Sequence, residues 1–159
     1  MFRTIYEVFG LNPFFSSNMA SFLGGIEDLC SEPYSGVSLY MFFGIVMLVS
    51  SGLIYALKYH IMFDLSRFSY IKYWWIFAGA TFSFNFGFAS INLWTRLKNA
   101  VLNFDCDEEF INVIFNIPDV AVFAFVNGVL GFLVFTLLSW PPVLRKFSKH
   151  CFRLTPFKC

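Results

Sequence analysis

Three stretches of about twenty residues carry no charge at all, and they constrain this chain more than anything else in it. They run over residues 37–57, 73–95 and 120–140. A hydrocarbon layer about 30 Å thick is crossed by roughly 20 helical residues. Within lipid every backbone N–H and C=O must be satisfied by the chain itself, and a helix does this within one segment. The three stretches therefore predict three transmembrane helices. Residues 82–88, FSFNFGF, alternate as a barrel strand would. A barrel needs many such segments, and no other part of the chain alternates, so a helix is expected there too.

Composition argues the same way. Only 13% of the 159 residues are charged and 58% are hydrophobic, whereas a soluble domain carries roughly 25% charge. Helices with no polar face have no soluble core to bury them. Trp74, Trp75, Trp94 and Trp140 fall at the ends of the charge-free stretches, where amphipathic rings favour the membrane interface. The fold class expected is an all-α membrane protein, a three-helix bundle with short amphipathic interfacial helices.

Residues 8–26 are a candidate fourth span. They lack charge, but Asn12, Pro13, Asn18 and the Gly24-Gly25 pair disfavour insertion alone. Phe15, Met19, Phe22, Ile26 and Leu29 recur at 4-3-4-3 spacing, one stripe of an amphipathic helix. An interfacial or re-entrant helix is the preferred reading. The chain thus divides into an N-terminal segment (1–36), a transmembrane region (37–140) and a basic amphipathic tail (141–159).

Orientation follows from the loops. Lys58, Arg67 and Lys72 lie between the first two spans, and Arg145, Lys146, Lys149, Arg153 and Lys158 lie in the tail. Most acids lie on the other side, at Glu27, Asp28, Glu32, Asp105, Asp107, Glu108 and Glu109. Basic loops stay cytoplasmic. This predicts a plasma-membrane protein, specifically of a bacterial inner membrane, with its C-terminus in the cytoplasm. The tail's basic residues are interleaved with Leu144, Phe147, Cys151 and Leu154 and are expected to meet anionic lipids of the inner leaflet. A net charge of +1 and the lack of a recognition motif give no expectation of nucleic-acid binding. Cys30 and Cys106 fall on the external side, where an oxidising compartment would let them form a disulfide.

The spans hold no acid, base or histidine, which argues against a proton relay or an ion-coupled carrier. They do hold small and neutral polar residues on definite faces. In the second span Gly79, Ser83 and Gly87 form a small row, with Ser90 close to it, while Thr81, Asn85 and Asn92 fall nearly opposite at 100° per residue. Small rows let helix backbones approach, and Asn hydrogen-bonds across helices. In the third span Ala121, Ala124, Gly128 and Gly131 share a face, with Asn127 beside it. In the first, Tyr40, Gly44, Ser51 and Tyr55 align at 4-7-4 spacing. The small residues are the expected helix-packing or oligomer interface. Asn85, Asn92, Asn127, Tyr40, Ser51 and Tyr55 are the expected interhelical or pore-lining polar groups.

The loops add little chemistry. His60 and Asp64 are four residues apart, too few ligands for a metal. Residues 105–109, DCDEE, lack the glycine and spacing of a calcium loop. Residues 107–117 read instead as a short amphipathic helix with Phe110, Ile114 and Ile117 on one side. No nucleophile–base pair or phosphate-binding glycine loop is present, so neither an enzyme nor a cofactor is expected. The reading that results is a small structural or assembly subunit of a membrane complex, associating with itself or with other membrane subunits. The alternative is a homo-oligomeric channel or lytic pore. Three spans, an external N-terminus and a basic cytoplasmic tail resemble in outline the three-span phage holins, a resemblance of topology rather than of motif.

Overall fold

The structure, a computed structural model, describes residues 4, 6, 23, 26–29, 32–35, 38–61, 71–103 and 117–140. Its main elements are three helices: α1 (Leu39–Ala56), α2 (Ile71–Asn103) and α3 (Ile117–Leu138). All three are long and apolar enough to cross a membrane, over Leu39–Tyr59, Tyr73–Arg96 and Pro118–Leu138.

Local chemistry explains where each begins and ends. The Ser38 carbonyl accepts the Met41 and Phe42 N–H groups, both at 3.1 Å, and so starts α1. α1 then widens into a π-helical turn, Leu57–Ile61. α2 has 33 residues, about 50 Å at 1.5 Å per residue, and so outruns a hydrocarbon layer of about 30 Å. α3 carries Pro118 and Asp119 in its first turn. A missing N–H costs nothing there, and a carboxylate favours the positive end of the helix dipole. At its other end the Ser139 N–H bonds to the Phe135 carbonyl and the Trp140 N–H to that of Leu137, tightening the last turn. Pro141 and Pro142 follow in the sequence and cannot prolong a helix.

Before α1 lies a short antiparallel ribbon, β1 (Ile26–Leu29) and β2 (Glu32–Ser35), paired in the register Ile26↔Ser35 through Leu29↔Glu32. This departs from the helical stripe expected to run through Ile26 and Leu29. The Gly24-Gly25 pair weakens helix on one side, and Pro33 ends it on the other. A two-stranded ribbon has only edge strands, where proline is tolerated. The rest of that stripe (Phe15, Met19 and Phe22) lies outside the described residues. So do Phe110 and Ile114 of the expected 107–117 helix, whereas Ile117 is the first residue of α3.

Two compact units emerge: Met1–Ile45 with Phe86–Asn127, and Val46–Asn85 with Gly128–Cys159. Each unit takes a portion of every helix. The first unit has a core of rings. Tyr6 stacks on Phe123 at 5.2 Å between centroids and lies 5.5 Å from Tyr40. Phe43 meets Phe123 edge-on at 5.2 Å and Phe88 at 6.3 Å. Leu23, Leu39, Ala89 and Leu93 are buried in the same unit. The second unit buries Tyr55, Tyr59, Trp74, Ala78 and Phe135 together, with Ile54, Phe77, Phe132 and Leu138 packed around them.

Trp75, Trp94 and Trp140 are exposed, as interfacial rings would be. Trp74 is not; it lies inside the second unit, 5.9 Å from Phe135.

Candidate functional site

In the second unit the three helices meet through polar atoms. Ser50 and Ser51 are adjacent on α1, and both are buried. Ser50 Oγ donates to Asn85 Oδ1 of α2 at 2.9 Å, and Ser51 Oγ donates to the Gly131 carbonyl of α3 at 3.3 Å. Asn85 Nδ2 donates to the Thr81 carbonyl one turn back at 2.9 Å, which holds the amide in place. Such bonds between membrane helices contribute about 0.6–2 kcal/mol each.

The glycines of α3 make room for this junction. A Cβ added at Gly131 would stand 2.5 Å from Asn85 Nδ2, and one at Gly128 would meet the Phe82 ring at 3.0 Å and the Phe82 carbonyl at 3.1 Å. The missing side chains leave room for the Asn85 amide at Gly131 and for Phe82 at Gly128. Of the other residues expected on this face, Ala124 is fully buried in the first unit and Ala121 is exposed.

The opposite side of α2 is different. Gly79 and Ser83 are exposed, Gly87 is half-buried, and an added Cβ would meet nothing within 4 Å at Gly79 or Gly87. The two faces expected on this helix thus have separate fates. The Asn85 face packs inside the chain, and the small row points away from it. Asn92 is half-buried, and its amide donates to the Phe88 carbonyl of its own helix at 2.9 Å. Thr81, Ser90, Thr95 and Thr136 likewise return their hydroxyl protons to a carbonyl four residues back.

The first unit has its own polar anchor. Tyr6 Oη donates to Asn127 Oδ1, and both residues are buried. Burial first, and the nearby Tyr40 phenol second, push the Tyr6 hydroxyl above the ordinary tyrosine range, so it keeps its proton and remains a donor. Tyr40 packs within this ring cluster, whereas Tyr55 belongs to the second unit. Arg96 caps the Phe42 ring at 4.8 Å, and Lys98 lies 5.6 Å from the Trp94 ring.

Three participants escaped the sequence reading. Ser50 is one, although a Ser-Ser pair inside an apolar helix is itself a signal. Tyr6 is another, and nothing in its neighbourhood marks it. Lys58 is the third; it was expected in a headgroup-facing loop, yet it is buried. It lies in the π-helical turn at the end of α1. Cys30, Cys106, Asp64 and the tail residues Arg145, Lys146, Lys149, Arg153 and Lys158 lie outside the described residues.

No protein-family model matches the chain, and neither a curated protein nor a solved structure shows significant similarity to it.

Proposed function

We propose that this protein is a small, non-enzymatic membrane subunit that joins a larger membrane assembly through the outward face of α2. That face carries the reading. Gly79 and Ser83 are exposed opposite the engaged Asn85, with open space where a Gly79 side chain would begin. Lipid tails gain nothing from small residues, whereas a second helix can approach closely over them. Self-coverage adds support. Within the most apolar stretch of each span, 39%, 33% and 44% is buried by the chain itself, and the lowest value belongs to α2.

In this reading the membrane is a plasma membrane, such as a bacterial inner membrane. The basic 58–72 loop and the C-terminal tail face the cytoplasm, and the tail rests on anionic lipids. Cys30 and Cys106 then share the external side, where they could pair.

The test is a Gly79→Leu/Ser83→Leu double variant, purified in mild detergent and weighed by native mass spectrometry. The expected result is loss of the hetero- or homo-oligomer, with the variant's own stability changed by no more than about 0.5 kcal/mol, as for a surface substitution. An assembly of unchanged mass would remove this face from consideration. A symmetric homo-oligomer that conducts in planar bilayers would replace the subunit reading with a pore.

A further inference from the structure

Tyr6 is only 1% exposed, although it stands far ahead of α1 in the chain. Its ring stacks on Phe123, the seventh residue of α3, and lies 5.5 Å from that of Tyr40, the second residue of α1. Its hydroxyl reaches further in, to Oδ1 of the fully buried Asn127. Asn127 is nine residues past Pro118 in a span of 21, about 14 Å along the helix at 1.5 Å per residue. Half of a hydrocarbon layer about 30 Å thick is about 15 Å. Where α3 crosses a membrane, the bond therefore lies near the midplane.

The order of the helices fixes which side this is. Three successive crossings put the start of α1, the end of α2 and the start of α3 on one side of a membrane. The unit that holds Tyr6 takes those three portions. Leu23 is fully buried in that unit as well, and β1 and β2 stand just ahead of α1. A single crossing over residues 8–26 would set Tyr6 on the other side, beside the last turns of α1 and α3. It packs near their first turns instead.

We propose that Tyr6 is the anchor of an N-terminal strap, fastening the chain inside the half of the membrane in which α1 and α3 begin, and entering from the side on which they begin. The chemistry suits the place. A phenol in hydrocarbon needs an acceptor, and the Asn127 side-chain oxygen supplies one where no water competes. The ring meanwhile makes aromatic contacts with both α1 and α3. The strap requires that the three helices cross a membrane, but not any particular partner for α2.

Thr4, two residues before Tyr6, is exposed and serves as the reporter. In the full chain with its four native cysteines changed to serine, Thr4→Cys is labelled by a membrane-impermeant maleimide in right-side-out and in inverted vesicles. A second chain that keeps Cys30 alone gives the reference side. Thr4→Cys should react from the side that labels Cys30. Adding Tyr6→Phe, which keeps the ring and removes the hydroxyl, should speed labelling by about 3- to 30-fold, the conversion of one membrane hydrogen bond of about 0.6–2 kcal/mol. Asn127→Ala should act alike, and the two together no more than either alone. Asn92→Leu, in the same unit but bonded within its own helix, should leave the rate unchanged. Labelling from the side opposite Cys30 would overturn the strap in favour of a fourth crossing. A rate that Tyr6→Phe leaves unchanged would overturn it, as would effects of Tyr6→Phe and Asn127→Ala that multiply, or an equal rise with Asn92→Leu. If Cys30 itself reacts equally from both sides, the membrane reading fails and the strap with it.

Discussion

The two units hold their helices together by different means. In the first, large rings fill the space: Tyr6, Tyr40, Phe43, Phe88 and Phe123 stack or meet edge to face. The second has a ring cluster too, but beside it glycines of α3 make room for Asn85 and Phe82 of α2, and Ser50, Ser51 and Asn85 bond between helices. The contrast matters because lipid tails are as apolar as the side chains they replace. Hydrophobicity alone then gives helices little reason to associate; shape and hydrogen bonds do. The ring-filled unit should therefore suffer when atoms are removed, and the glycine-lined unit when atoms are added.

Reciprocal substitutions test that difference. The largest effect is expected from Phe123→Ala, which empties the centre of the ring cluster. It should cost about 3 kcal/mol, as for buried aromatic truncations, read as a lowered midpoint of unfolding in mixed micelles. A loss under about 1 kcal/mol, the level of a well-tolerated swap, would mean that the rings do not set the first unit's stability. Gly131→Ala comes next. Its single added carbon lands on the Asn85 amide and should cost about 2 kcal/mol by overpacking. The same change at an exposed helical glycine would favour the helix, so an unchanged or raised midpoint would break the comparison. The smallest effect is expected from the asparagines. Asn85→Leu removes an interhelical acceptor and should cost about 1 kcal/mol. Asn92→Leu removes only a bond within its own helix and should cost less than Asn85→Leu by the same measurement. Equal costs would show that Ser50 contributes nothing.

Much of the fold was legible before any coordinates. Three helices long and apolar enough to cross a membrane lie within a few residues of the charge-free stretches, and on α2 Thr81 and Asn85 are buried while Gly79 and Ser83 are exposed. What could not be read was pairing. Ser50 looked no different from Ser51, Ser83 or Ser90 until Asn85 stood 2.9 Å away. Tyr6 lies 121 positions from Asn127, and no local pattern reports a contact over that separation. The ribbon at Ile26–Leu29 was missed because an apolar spacing of three fits a helical stripe as well as a strand's two ends. The flanking glycines and Pro33 were the better guide.

The sequence by itself determined that three helices are long and apolar enough to cross a membrane, and where they lie. Charge is costly in lipid one residue at a time, so a run without charge is a local statement that needs no neighbour to complete it. Helical periodicity likewise set two unlike faces back to back on α2. It could not say which face turns inward, because a 3.6-residue repeat is indifferent to what stands beside it. Tertiary structure decided that. Ser50 on one side and the bare backbone of Gly131 on the other accommodate an asparagine, so the amide went in and Gly79 and Ser83 were left facing out. The same holds for Lys58. Its charge was plain in the sequence, but only the tertiary structure buried it.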